Sequence, residues 1–275
     1  MEEKYNNFLK RTATIIIAVF LAFLTIFWKG FPFFIIIIII ALLGLKELYS
    51  IAYKLGYRPS YILGSVLTFY FIIIRVYDIY CWNYYIENII ITFFIILTFI
   101  FQLFKKDYSK VLAEISITIF GSIYLGYLLS FMLKIKDLPN GNYYLISLLI
   151  ITWANDTGAY LIGTKFGKNK IFPKISPKKT IEGSIGGIIF SIASTFALKN
   201  WLNLTFNELL SLGLIISIIA QLGDLFESVL KRGSGIKDSG TLIPGHGGIL
   251  DSLDSLIFTA PIFYYYYYIV LYFLH

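Results

Sequence analysis

Cysteine, histidine and charge are all scarce in this chain. Cys81 is the only cysteine, so no internal disulfide and no cysteine-based metal cluster can form. The two histidines, His246 and His275, do not stand at zinc-ligand spacing, which argues against zinc chemistry. Charged residues make up 14% of the sequence, against roughly 25% in soluble domains. That excludes a large soluble globular core as the main architecture. No small-residue cleavage site follows the first apolar run, so the run reads as a retained span rather than a leader. No internal repeat is visible, which weakens a transporter reading based on paired repeats. No loop is long enough for a soluble domain.

What fills the chain is apolar: 58% of the residues are hydrophobic and 19% aromatic. A spanning helix needs about 20 mainly apolar residues. Nine stretches qualify, near 12–28, 31–45, 60–77, 86–104, 111–133, 143–164, 181–200, 208–230 and 253–274. The expected fold is all-α, a polytopic integral membrane protein of about nine transmembrane helices. The second stretch is short enough to be re-entrant. The isoleucine run 35–40 and the tyrosine run 264–268 need no explanation beyond greasy helix. With the N-terminus cytoplasmic, 18 of the 23 lysines and arginines fall in inside segments, as the positive-inside rule requires. The net charge of +7 therefore reports topology, and nucleic acid is not an expected partner. Residues 1–135 read as scaffold helices. Residues 136–275 read as the catalytic half, with cytoplasmic loops 165–180 and 231–252.

Polar residues inside membrane spans are expensive and mark function by default. Asp156 lies within the sixth span, where it lines a polar cavity or makes a structural bond between helices. Lys178 and Lys179 precede a helix start at which Thr180 with Gly183, or Ser176 with Pro177, makes a plausible cap. A cation pair beside a helix N-terminus suits an anion. Lys165, Lys168 and Lys170 read as membrane anchors, and Gly183 with Gly187 as a packing pair. The most polar long segment is Gln221–Ser255, with seven glycines between two apolar spans. Asp224, Glu227, Ser228 and Lys231 share one helix face there. An internal ladder of Asp224 to Ser228 and Glu227 to Lys231 would leave Asp224 the less satisfied acid. Arg232, Lys237 and Asp238 follow, then PGHGG at 244–248, then Asp251 and Asp254 on one face of the last helix. Gly247 and Gly248 let backbone N–H groups approach a phosphate, while the two aspartates could also cap that helix. Acids, cations and glycines together suggest a site for a divalent cation and phosphates, with Mg²⁺ the natural ion for oxygen ligands. His246 would bind phosphate, orient the loop or act as a base, in that order.

The run SVLKRGSGIKDSGTLIPGHGGILDSLDS, with SPKKTIEGSIGG at 176–187 and DTGAYLIGTKFGK at 156–168, resembles the phosphatidate cytidylyltransferase family. The likeness covers roughly residues 153–260. One departure is Ser252, where the family commonly has arginine. The resemblance implies transfer of CMP from CTP to phosphatidate, giving CDP-diacylglycerol and pyrophosphate with Mg²⁺, a second cation being left open. It implies metal ligation by Asp224 and Asp251, with Asp254 and Asp156 as weaker candidates. Phosphates would fall to Lys178, Lys179, Lys231, Arg232 and Lys237, with Ser228 and His246 in support. It also implies a homodimer in the bacterial cell membrane, with the site facing the cytoplasm and the lipid entering between helices. The rival expectations are a related CTP-dependent membrane enzyme acting on another lipid phosphate or a polyprenol-like alcohol, and an ion or solute transporter.

Overall fold

The computed structural model describes residues 25–27, 31–77, 84–105, 108–240, 242 and 247–270. Most of the first expected span and the His246 position lie outside these residues. The described helices are α1 (Phe31–Lys54), α2 (Tyr61–Tyr77), α3 (Tyr84–Leu103), α4 (Val111–Ser122), α5 (Phe131–Asp137), α6 (Gly141–Phe166), α7 (Ile181–Ala197), α8 (Lys199–Leu202), α9 (Phe206–Gly233) and α10 (Ile249–Ile269). A π-helical turn, Ile123–Leu128, joins α4 to α5. Four helical stretches are long and apolar enough to cross a membrane: Phe31–Lys54, Val111–Asp137, Gly141–Phe166 and Phe206–Gly233. Shorter apolar helices cover Tyr61–Arg75, Asn88–Leu103 and Ile181–Ala197.

The fold is mostly helical, as expected, and the 165–180 loop adds one small antiparallel hairpin of β1 (Lys170–Phe172) and β2 (Ser176–Thr180). One expectation is corrected: the second span is not short. α1 runs for 24 residues, through Lys46 and Glu47 to Lys54. The hydropathy signal fades at Lys46, but the backbone does not break there, because neither glycine-proline punctuation nor a cap intervenes.

In hydrocarbon, apolar contact between helices gains little over contact with lipid, so close approach and hydrogen bonds between helices carry the packing. α1, α2 and α4 show both. The Tyr49 hydroxyl donates to Thr118 O at 2.7 Å, and Ser122 Oγ donates to Gly64 O at 3.0 Å. Gly64 and Gly121 have no room for a Cβ because the Tyr49 ring lies against them. α6 and α7 meet through Gly158 and Gly186, which leave the two backbones in contact. Gly183 and Gly187 face α6 as well, near Ala159 O and Asn155 respectively, so the glycine pair does pack.

Helix starts follow their local sequence. Thr180 caps α7, its Oγ1 accepting from Gly183 N at 3.1 Å. Thr205 and Glu208 form a capping box on α9, in which Thr205 N donates to Glu208 Oε2 at 2.7 Å. The tyrosine run on α10 is more than grease. The Tyr266 hydroxyl donates to Glu208 O at 2.7 Å, and that of Tyr267 donates to Leu202 O at 3.0 Å.

Candidate active site

The polar residues of the second half divide into two groups at one end of the bundle. The first group is built from α6, β2, α9 and α10. Alternation along β2 sends neighbouring side chains to opposite faces, so Lys178 is exposed while Lys179 turns inward. Lys179 Nζ pairs with Asp224 Oδ2 at 2.6 Å. Asp156 and Asp254 lie within electrostatic reach of Asp224 and of the same lysine. Three carboxylates from three helices thus gather near one lysine, which pairs with Asp224. No hydrogen bond from Ser228 to Asp224 forms among the described residues, so that rung of the ladder gives way to the hairpin lysine.

An asparagine that sequence reasoning passed over holds Asp156 in place. Asn155 is 1% exposed and donates from Nδ2 to Asp156 Oδ1 at 3.0 Å. Its Oδ1 accepts from Ser217 Oγ at 2.6 Å and Gln221 Nε2 at 3.2 Å. Gln221 Nε2 also donates to Ser184 O at 3.2 Å, and Ser184 Oγ donates to Gln221 Oε1. The network therefore ties α6, α7 and α9 together beneath the acids. A buried amide satisfied on both sides is a rigid support.

The second group surrounds Asp251. Lys231 Nζ lies 2.5 Å from Glu227 Oε2 and 2.6 Å from Asp251 Oδ1. The Glu227 to Lys231 rung of the ladder is thus present, and it extends to α10. Asp251 Oδ2 accepts from Gly248 N at 2.7 Å, Ser239 N at 2.9 Å and Ser239 Oγ at 3.0 Å. Asp251, the third residue of its helix, therefore closes the helix start on the N–H of the N-cap Gly248 as well as pairing with Lys231. The structure brings Asp224 to Asp156 and Asp254, and gives Asp251 to Lys231.

The α10 N-terminus was expected to offer backbone N–H groups to a phosphate through Gly247 and Gly248. Its N–H groups are instead taken by carboxylates. Gly248 N donates to Asp251, Ile249 N donates to Glu47 Oε1 at 3.0 Å, and Leu250 N donates to Glu47 Oε2 at 2.9 Å. Gly247 adopts φ +102°, a backbone that glycine alone takes without strain. Glu47 is the second residue missed from sequence. Its signal was an acid placed inside an otherwise greasy helix, hidden by ending the span at residue 45.

The remaining candidates stand around the mouth. Arg232 braces the loop, donating from Nε to Ile175 O and from Nη1 to Ile236 O, both at 3.2 Å. Lys178, Lys237 and Asp238 are exposed, and Ser228 is half-buried. Ser252 is exposed and donates to Gly248 O at 3.3 Å. Tyr124, on the π-helical turn, is 2% exposed and lies within reach of the Asp254 and Glu227 charges. π-Helical turns often mark functional sites.

Residues 9–270 match the cytidylyltransferase family. The chain belongs to that family. Every candidate residue lies inside the match. A phosphatidate cytidylyltransferase of Bacillus subtilis (strain 168) is 34% identical over 254 residues, covering 91% of this chain and 93% of the relative. One of Staphylococcus aureus (strain COL) is 38% identical over 258 residues, covering 92% of this chain and 96% of the relative. One of Staphylococcus epidermidis (strain ATCC 35984) is 37% identical over 258 residues, with the same shares covered.

The acidic group can be asked whether it suits a divalent cation. Three carboxylates facing one lysine leave an excess of negative charge, and all the donors are hard oxygens. Among the described residues, no group of three or more such side chains is placed to hold a metal ion. Mg²⁺ usually takes one or two carboxylates and completes its shell with water and substrate phosphates, so a site here would rest on no more than two of these acids.

Proposed function

We propose that this chain is a membrane cytidylyltransferase that joins CTP to phosphatidate, giving CDP-diacylglycerol and pyrophosphate. The observation that carries the reading is the convergence of Asp156, Asp224, Asp254 and Lys179 at one end of the bundle. It occurs in a chain similar over nearly its whole length to proteins that bear this activity in their names.

The lipid phosphate attacks the α-phosphorus of CTP, and the bond to pyrophosphate breaks. Both reactants are anions, so the site must first offset their repulsion and then the charge that grows on the leaving group. Lys179 and Lys231 hold fixed ammonium groups beside the acids. Lys178 and Lys237, exposed at the mouth, meet the outer phosphates. Arg232 keeps the hairpin and the 231–240 segment together while presenting its charge. No side-chain nucleophile is required, because the attacking phosphate is already ionised. Magnesium would be held by one or two of these carboxylates: Asp224 with Asp254 or Asp156 beside it in the first group, or Asp251, through the oxygen now on Lys231, in the second. When bound, the ion supplies positive charge against the phosphate oxygens.

The membrane arrangement belongs to the same reading: about nine spans, the N-terminus and the site on the cytoplasmic side of a bacterial cell membrane, and a homodimer. Contacts between segments support the alternation. Lys105 pairs with Glu114 and donates to Arg58 O, and Lys110 donates to Gly56 O; the charge count puts Arg58, Lys105 and Lys110 inside. Arg75, which donates to Ser130, and Lys136, which donates to Asn142, are both cations assigned outside or near outer helix ends.

The test is direct. Purified full-length chain receives CTP labelled at the α-phosphate, phosphatidate and Mg²⁺. The label should enter the lipid with one pyrophosphate released, and chelation should stop it. Release of CDP with a phosphorylated alcohol, or solute transport without nucleotide turnover, would overturn the reading.

A further inference from the structure

Glu47 lies on α1, far in sequence from every residue discussed for the chemistry, and is 6% exposed. Its carboxylate accepts three hydrogen bonds, from Ile249 N, Leu250 N and Ser239 Oγ, at 2.9–3.0 Å. No lysine or arginine pairs with it among the described residues. Its charge is met by the N-terminus of α10, where unpaired N–H groups and the helix dipole favour an anion. A side chain at Gly240 or Gly248 would run into this carboxylate, to within 2.8 and 2.6 Å of Glu47 Cδ. These two glycines are therefore accounted for by the glutamate.

Ser239 connects Glu47 to the site. Its Oγ lies 3.0 Å from Glu47 Oε2 and 3.0 Å from Asp251 Oδ2. A hydroxyl has one hydrogen to donate, so two carboxylates share a single donor. Whatever charge Glu47 carries sets how much of that donor Asp251 receives.

We propose that Glu47 is a positioning residue: a fixed negative charge, delivered from the first half of the chain, that clamps Ser239–Gly240 and Gly248–Leu250 and sets Asp251 through Ser239. The clamp stands on geometry alone, whereas its effect on turnover rests on the cytidylyltransferase reading.

The experiment uses the full chain in detergent, as wild type, Glu47→Gln, Glu47→Asp and Ser239→Ala. Tryptic cleavage at the exposed Lys237 reports the clamp, and kcat and KM for phosphatidate and CTP report the chemistry. In Glu47→Gln an amide NH₂ must face the α10 N–H groups. Cleavage should then run about tenfold faster, the population change expected of a lost helix cap. The value of kcat should fall about 10–100-fold, as when a group supporting a ligand is removed, with KM for phosphatidate changed less than about twofold. Glu47→Asp keeps the charge and should recover part of both losses. Ser239→Ala keeps the cap and should lower kcat without the faster cleavage.

Wild-type cleavage and kcat in Glu47→Gln would overturn the proposal. So would aggregation of both Glu47 variants alongside wild-type kcat in Ser239→Ala, since Glu47 would then serve the fold alone. If the wild type releases no pyrophosphate, the functional reading fails, and the cleavage comparison still decides the clamp.

Discussion

Lys179 and Asp224 meet at 2.6 Å, the lysine on a hairpin outside the helices and the aspartate on α9. This contact closes the β hairpin over the acidic group and makes the 165–180 segment part of the site. The Lys179 ammonium is itself buried in this contact although its stem is partly exposed, whereas the Asp224 side chain is 36% exposed.

It follows that the two neighbouring lysines differ in role. Lys179→Gln should lower kcat about 100-fold, the range seen when one preorganised donor to a developing charge is lost. Lys178→Gln, on the outward face, should act mainly on KM for CTP. Both are read from pyrophosphate release at varied CTP. Equal effects on kcat would argue that the hairpin turns in solution and that the Lys179–Asp224 pair is incidental.

The Asn155 network gives a separate expectation for stability. In Asn155→Leu the side chain keeps its approximate volume but leaves the buried Ser217 hydroxyl without its acceptor and removes one bond from Gln221, at about 1–3 kcal/mol. The purified variant should show a lower thermal midpoint in detergent, and Asp156 should lose the Asn155 side-chain donor. Gln221→Leu removes the adjacent member, and because the two share partners, the double variant should lose less than the sum of the singles. Strict additivity would mean the network does not act as a unit.

Sequence showed the helical bundle and the acids, and the reasons are physical. Long apolar runs favour helix, so described helices cover seven of the expected stretches close to their predicted bounds, while four helical stretches are long and apolar enough to cross a membrane. Asp156, Asp224 and Asp254 stood out because an unpaired carboxylate in such a run demands a partner. What could not be read was which partner. The ladder suggested by helix spacing was half right, since Lys231 does take Glu227 but Asp224 reaches a hairpin that no periodicity announces. Asn155 is neutral and carries no composition signal. Glu47 was hidden because a hydropathy window ends where charge begins, whereas the backbone of α1 continues.

Cys81 offers a test of topology with almost no engineering. The charge count places it outside, between the third and fourth spans. A membrane-impermeant maleimide should label it on intact cells. In Cys81→Ser carrying Lys170→Cys, on the hairpin, labelling should require opened or inverted membranes. Labelling of Lys170→Cys from outside would reverse the orientation and move the site to the other face of the membrane.

Asp251 offers the closest discrimination between capping and chemistry. Its Oδ2 serves the backbone of Gly248 and Ser239, and its Oδ1 serves Lys231. Asp251→Asn keeps one acceptor oxygen but loses the charge. Loss of the cap alone should lower stability by about 1 kcal/mol and leave the protein folded in detergent. Loss of a ligand charge should lower kcat at least about 100-fold, beyond what a cap of that size explains. Asp251→Ser keeps a short oxygen donor but has no charge, so it should be as inactive as Asp251→Asn, whereas Asp251→Glu should retain some turnover. Raising Mg²⁺ should recover activity in Asp251→Glu more than in Asp251→Asn. Full activity of Asp251→Asn at ordinary Mg²⁺, with a lowered melting point, would assign Asp251 to the helix start and leave Asp224, Asp254 and Asp156 as the acids of the reaction.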